Sequence, residues 1–133
     1  MQRSKQLKAL RPSIPTILEE QATSSQEQFQ NKVLRPILKL QNDLLVAIFK
    51  KYAHKRKGVF FDLSNLKKQA YLQQAIQRDQ QFRNLLVGSI IGQFTVEEYT
   101  QFAEDEQRLV KRMMDMCVKR LQDHFCPSIQ LGS

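Results

Sequence analysis

An all-α fold is predicted for this chain of 133 residues by its composition and by the spacing of its apolar residues. Leu, Gln, Lys, Arg and Glu, which favour helices, are abundant, whereas 4 Gly, 4 Pro and no Trp supply too little turn chemistry for a β-sandwich. A content of 41% hydrophobic and 26% charged residues is typical of a globular domain. Long apolar series joined by short connections predict an antiparallel bundle of about four helices.

The chain divides in sequence order into an N-terminal arm, a helical bundle and a C-terminal tail, which we place at residues 1–23, 24–126 and 127–133. The arm carries a short helical stretch from Ser4 to Leu10, after which Pro12 and Pro15 require extended backbone. We expect the arm to pack over the core through four apolar side chains, Leu7, Leu10, Ile14 and Ile17.

A long second helix is predicted from Ser24, which can form a capping box with Glu27, to about Lys57, with Gly58 closing it. Its apolar residues recur in helical steps at Phe29, Val33, Ile37, Leu40, Leu44, Ile48 and Tyr52. Because this phase continues through Pro36, we expect one helix that is kinked there, where the ring removes a hydrogen bond and crowds the preceding turn.

The polar triplet Gln41, Asn42 and Asp43 interrupts the leucines of this helix and has two interpretations. Gln41 lies at the edge of the apolar face, where it can be half-buried with hydrogen-bond partners. Alternatively, the three side chains line a site. The sequence leaves both interpretations open.

The spacing of apolar residues predicts that residues 62–92 are helical, but it does not show whether they form one helix or two. Asp62 or Ser64 can cap its beginning, and Asp79 can cap a further segment inside it. Gly92 is expected to end it.

The last helix is predicted to run from about Val96 to Phe125, with Thr95 and Glu98 forming a second capping box. We expect its buried stripe to comprise Tyr99, Phe102, Ala103, Val110, Met113, Cys117, Leu121 and Phe125.

The residue patterns contain no recognisable catalytic or metal-binding motif. Cys117 and Cys126 are nine residues apart, and Cys117 lies on the apolar face, which favours a packed free thiol. His54 and His124 fit no zinc spacing, and phosphate loops and nucleophile elbows are missing. We therefore predict no catalytic residue, no metal and no cofactor.

The sequence also predicts a cytoplasmic protein without a membrane partner. Its longest stretch without a charged residue, Asn84 to Val96, is too short to span a bilayer, and the amino terminus does not have the pattern of a secretory signal.

A net charge of +8 with a pI of about 9.7 favours an acidic partner. The densest positive charge lies in "KKYAHKRKG", and its cations define the basic segment: Lys50, Lys51, Lys55, Arg56 and Lys57. This segment could neutralise nucleic-acid phosphates while Tyr52 stacks on a base, or it could be a solvated helix end that favours the helix dipole. Acidic residues are interspersed among the basic ones of the last helix, as on a solvated face.

Three stretches, "FQNKVLRPILKLQNDLL", "FRNLLVGSIIGQFTVEEY" and "KRMMDMCVKRLQD", resemble a family of small uncharacterised bacterial proteins, over Phe29 to Asp123. Some members are labelled glyoxalase, and the resemblance therefore implies a possible enzymatic role. Metal-dependent glyoxalases are βαβββ proteins with ligands on strands, whereas strand periodicity is missing here. The resemblance assigns no catalytic residue.

The function that these observations favour is binding of another macromolecule by a non-catalytic helical bundle. We expect the partner to be another protein or a second copy of the chain in a homodimer. The alternative is a nucleic-acid-binding protein that uses the basic segment. A second alternative is an enzyme of unknown reaction, as the glyoxalase label implies.

Overall fold

The computed structural model describes residues 2–13 and 24–127, and in these ranges all regular structure is helical. The prediction of an all-α fold is confirmed, but the described residues form more helices than the predicted four or so. A π-helical turn spans Gln30–Leu34 and a 3-10 turn spans Val59–Asp62. The α-helices are α1 (Gln2–Leu10), α2 (Ser25–Phe29), α3 (Arg35–Lys55), α4 (Asn65–Arg78), α5 (Gln80–Ile91), α6 (Val96–Ala103) and α7 (Glu106–Phe125).

Helices α2 and α3 form one rod, because the backbone stays right-handed helical through the π-turn between them. Phe29, Leu34 and Arg35 all have helical φ and ψ angles, and the Arg35 N–H donates to the Gln30 carbonyl five residues back. Pro36 follows directly, so the widened turn lies where the proline lacks a donor and crowds the helix. The expected single helix through Pro36 is thus present.

The π-turn changes which side chains of the rod are buried. A π-turn contains one residue more than a turn of α-helix. The buried face therefore includes Leu34, five residues after Phe29, as well as Val33, which is four residues after it. The core therefore receives Leu38, Leu45, Phe49 and Ala53, among others. Beyond Ile37 the predicted stripe is wrong for Leu44, which is 48% exposed, and only partly correct for the others: Leu40 is half-buried, and Ile48 and Tyr52 are half-buried against the core.

The rod ends at Lys55, and Gly58 closes it as the sequence predicts. Gly58 has a φ of 66°, and its N–H donates to the Ala53 carbonyl at 3.0 Å. A positive φ strains most side chains but not glycine.

Residues 62–92 form two helices, which resolves the alternative that the sequence leaves open. Asp79 has extended backbone angles, ends α4 and caps α5, since its Oδ1 accepts a hydrogen bond from the Phe82 N–H at 3.1 Å. Ser64 rather than Asp62 caps α4, through the Lys67 N–H at 3.3 Å.

The predicted last helix is two helices, α6 and α7, separated at Glu104 and Asp105. The capping box of Thr95 and Glu98 at its beginning is confirmed. Asp105 leaves the helical conformation and accepts a hydrogen bond from Gln26 at 2.5 Å. The break also places acidic residues at the beginning of α7, where the helix dipole favours negative charge.

Aromatic rings meet near the two ends of one continuous hydrophobic core. Phe29, Phe94 and Phe102 meet at one end, with centroids of Phe29 and Phe94 5.7 Å apart. At the other end, Phe49 is surrounded by five rings, those of Tyr52, Phe60, Tyr71, Phe82 and Phe125. In the predicted last stripe, Tyr99 is instead 48% exposed and Ala103 is exposed.

Helix α3 runs antiparallel to α5. Gln41 Nε2 donates to the Ser89 carbonyl at 2.8 Å, whereas Phe49, two turns further along α3, packs against Phe82 at 6.1 Å. As the residue number rises along α3, the residue number of the contacted residue in α5 falls. The two helices therefore run in opposite directions.

By contrast, the first rod runs parallel to α7. Gln26 contacts Asp105 at the start of the rod, and Asn42 accepts a hydrogen bond from Arg120 at 3.2 Å further along. The expectation of purely antiparallel neighbours is therefore wrong for this pair. Helix α5 has already returned the chain to the end where the first rod begins, since Phe94, which precedes α6, packs against Phe29.

Helix α1 is attached mainly by polar contacts rather than by the expected apolar ones. Its end carries Arg11, whose guanidinium forms two hydrogen bonds to the Glu98 carboxylate at 2.6 and 2.7 Å, while Arg3 donates to the Phe94 carbonyl at 2.8 Å. Leu10 is 61% exposed, contrary to the prediction. Ile14 and Ile17, like most of the predicted tail, lie outside the described residues.

Candidate functional site

The basic segment lies at the end of α3 and in the following turn, and four of its five cations are exposed and unpaired within the described parts of the chain. These four are Lys50, Lys51, Lys55 and Lys57. Arg56 differs, because its guanidinium pairs with Asp79 at 3.0 Å. The structure therefore leaves the four lysines exposed but pairs Arg56, whose side chain is 45% exposed, with Asp79.

Tyr52 presents neither face of its ring to solvent. The Arg56 guanidinium lies 3.6 Å from the ring centroid, and the Phe82 ring stacks on it at 4.0 Å. The Tyr52 hydroxyl donates to Asp79 at 3.2 Å, and burial is the main cause that raises the pKa of Tyr52. A base that stacked on Tyr52, as the sequence suggests, would have to displace one of these partners.

A second concentration of positive charge lies in a groove between the first rod and α7. Its volume is about 880 Å³. Five Lys or Arg side chains and two Asp side chains line it, which leaves a formal charge of +3. We call this the basic groove, and its lining residues are Gln30, Arg35, Lys39, Asn42, Arg112, Asp115, Met116, Lys119, Arg120, Asp123 and His124.

Helical spacing explains why these side chains meet. Arg35 and Lys39 are four residues apart on the first rod, and Arg112 and Lys119 are seven apart on α7, so each pair shares a helix face. Arg120 is adjacent to Lys119 and lies at the border of the α7 face, where it contacts Asn42 of the rod. Because the rod and α7 run parallel, the two sets form opposite walls.

The positive charge of the groove is mostly uncompensated. Lys119 pairs with Asp123 at 2.8 Å, but in residues 2–13 and 24–127 Arg35, Lys39, Arg112 and Arg120 have no carboxylate within ion-pair distance. Arg35 donates to the neutral Asn31 amide at 3.1 Å, and Arg120 donates to the neutral Asn42 amide at 3.2 Å.

Arg120 is the half-buried cation of the groove. Burial is the main cause that lowers the pKa of Arg120, and the nearby positive charge of Arg35 lowers it further. The charged form of Arg120 is thus less well solvated than on an open surface, and an anion in the groove would stabilise it.

The polar triplet of the long helix has mixed roles. Gln41 donates to the Ser89 carbonyl and joins α3 to α5, which is a structural role. Asn42 lines the basic groove and orients Arg120. Asp43 is exposed.

The cysteines are buried free thiols, as predicted for Cys117. Burial raises the pKa of Cys117 to about 12, so its thiol stays protonated at neutral pH. Among the residues that the structure describes, no three His, Cys, Asp or Glu side chains are grouped so as to hold a metal ion.

Comparison with known proteins provides no relative for this chain: no family model, curated protein or solved structure matches it. In the described residues, no helix combines the length and the apolarity that crossing a membrane requires.

Proposed function

We propose that this chain is a non-catalytic helical-bundle protein that binds an acidic segment of another protein in the basic groove. The observation that supports this proposal is the set of four unpaired cations, one of them half-buried, on the two walls of one groove. Burying unpaired charge costs free energy in the free protein, and an acidic partner would recover that cost.

The size of the groove suits a short peptide segment. Its α7 wall extends from Arg112 to His124, which corresponds to about 18 Å at about 1.5 Å per residue. An extended segment of about five residues, at about 3.3 Å per residue, would cover this length.

The lining of the groove favours a protein over a nucleic acid. It contains no Phe, Tyr or Trp on which a base could stack, and the ring of His124 is the only aromatic one among its lining residues. Met116 adds an apolar surface among the charges. A partner segment with acidic and apolar residues would complement both features.

The test compares two variants that each lose three exposed positive charges. The groove variant carries Arg35→Gln, Lys39→Gln and Arg112→Gln, and the control variant carries Lys50→Gln, Lys51→Gln and Lys55→Gln. Binding of a fluorescent ten-residue glutamate peptide would be measured by anisotropy at low salt. We expect the groove variant to lose about tenfold in affinity, since three exposed pairs contribute about 0.5 kcal/mol each. We expect the control variant to lose much less.

Equal losses in the two variants would show that net charge alone attracts the peptide, and this outcome would contradict the proposal. The absence of peptide binding to the unmodified protein near 50 mM salt would also contradict it. Circular dichroism of both variants would verify that the fold is retained.

Nucleic-acid binding through the basic segment is a second candidate, supported by the exposure of Lys50, Lys51, Lys55 and Lys57. The same two variants test it with a mixed-sequence DNA or RNA probe. If the segment neutralises phosphates, affinity should fall with salt at a logarithmic slope of about −0.9 per duplex contact, and the Lys50/Lys51/Lys55 variant should flatten that slope. A wild-type protein that does not bind the probe near 50 mM salt would exclude this candidate.

A further inference from the structure

We infer that Arg35 and Arg120 form a subsite for a phosphomonoester, and that the acidic partner segment therefore carries a phosphorylated side chain. This inference rests on the proposed function, because it names the group that the basic groove would recognise. The two arginines belong to opposite walls of the groove, and Asn42 lies on the same wall as Arg35.

The hydrogen-bond donors of this pair are largely unused. A guanidinium carries five N–H donors, whereas the structure shows one hydrogen bond for Arg35, to Asn31, and one for Arg120, to Asn42, within the described residues. Asn42 accepts through its amide oxygen and so holds the Arg120 side chain in the groove. Each arginine thus keeps several donors for a ligand.

The carboxylates of the groove do not accept hydrogen bonds from these donors. Asp123 directs its Oδ1 to Lys119 at 2.8 Å, and Asp115 forms no ion pair with either arginine in the described structure. Two cations from separate helices therefore line one groove with no carboxylate within ion-pair distance, although Asp123 is near enough to act on Arg120 electrostatically.

The chemistry of a phosphomonoester fits this arrangement better than that of a carboxylate. A phosphorylated side chain carries a charge of about −1.5 to −2 at neutral pH and three acceptor oxygens, whereas a carboxylate carries one charge and two oxygens. Two guanidinium groups can each form paired hydrogen bonds to such a group. Lys39 and Arg112, which also line the groove, would bind the flanking acidic residues of the segment.

The test uses two fluorescent peptides of nine glutamates around a central residue, which is serine in one and phosphoserine in the other. We expect the phosphorylated peptide to bind the wild-type protein at least about tenfold more tightly than its serine counterpart, because charge-assisted hydrogen bonds to phosphate are strong. Inorganic phosphate should compete with the phosphorylated peptide, which would identify the phosphate group itself as the ligand.

The decisive variants keep the net charge. In Arg35→Lys and Arg120→Lys the cation remains but the planar fork is lost, so the preference for the phosphorylated peptide should shrink several-fold while binding of the serine peptide changes little. Arg108→Lys is the matched control on α7, since Arg108 is exposed and lies outside the groove lining. Should Arg120→Lys fail to fold, the exposed Arg35→Lys variant suffices for the same comparison.

The outcomes distinguish this inference from the proposed function. Equal affinity of the wild-type protein for the two peptides would overturn the phosphate subsite and leave the acidic-segment proposal standing. An unchanged preference in both lysine variants would also overturn the subsite. If neither peptide bound the wild-type protein, both proposals would be overturned.

Discussion

Two adjacent leucines of α3 test whether the π-turn sets the buried face of the first rod. Leu45 is 1% exposed, whereas Leu44 is 48% exposed, although regular helical steps through Pro36 would bury Leu44. We predict that Leu45→Ala destabilises the protein strongly and that Leu44→Ala does so weakly. The substitutions remove the same atoms from neighbouring positions of one helix, so each is the control for the other.

The expected magnitudes follow from burial. Removing a fully buried leucine side chain costs about 2–5 kcal/mol, and we take about 3 kcal/mol for Leu45. A half-exposed leucine loses about half of the transfer free energy and leaves no closed cavity, so Leu44→Ala should cost about 1 kcal/mol or less. An entropy of unfolding of about 2.1 cal/mol/K per residue implies that about 1 kcal/mol shifts Tm by about 4 °C in a chain of this length.

The assay is thermal and urea unfolding followed by circular dichroism at 222 nm. We expect Tm to fall by about 11 °C for Leu45→Ala and by about 4 °C or less for Leu44→Ala, with unchanged urea m-values. If Leu44→Ala is the more damaging of the two, the helix continues in regular α-helical phase through Pro36 and the argument from the π-turn is refuted.

Three further predictions concern individual residues. The hydrogen bonds from Arg11 and the Thr95 N–H outweigh burial and lower the pKa of Glu98 from its usual 4.5. The ionised carboxylate therefore stabilises the fold above about pH 4.5, and this stabilisation is lost as pH falls below that value. In Glu98→Gln, the free energy of unfolding measured in urea should depend less on pH over that range. Gly58→Ala should cost about 1 kcal/mol in urea unfolding because φ is 66°, and an unchanged midpoint would contradict this. Cys117 should react with a thiol reagent at pH 8 only in urea, since burial raises the pKa of its thiol to about 12. If peptide mapping showed rapid labelling of Cys117 in the native protein, this prediction would be contradicted.

Local signals in the sequence predict the helix boundaries well where a single side chain decides them. Ser24, Ser64, Asp79 and Thr95 each accept a hydrogen bond from a backbone N–H three residues later, and all were candidate caps. Such caps depend on residues close in sequence, which explains why a sequence pattern reveals them.

Breaks that depend on distant partners are harder to predict. Asp105 separates α6 from α7 and contacts Gln26, which is 79 residues away. A continuous apolar spacing across Asp105 is compatible with one helix, and the sequence has no local signal for this partner.

The basic groove shows the same limit for the candidate site. Lys39, Arg112 and Arg120 each resemble ordinary solvated charges when read along the chain, because acidic residues lie near the two on α7. The spacing on each helix reveals that the cations share a face, but it does not reveal that the two faces oppose each other.

By itself, the sequence determined the all-α class, the caps, the passage of one helix through Pro36 and the closing glycine at Gly58, because each follows from backbone preferences and neighbouring side chains. The tertiary structure decided the buried phase after the π-turn, the engagement of Arg56 and Tyr52 by Asp79, and the parallel pairing that brings Arg35 towards Arg120. These features depend on packing between segments that are tens of residues apart in sequence. The free energy of that packing cannot be predicted from a local sequence pattern.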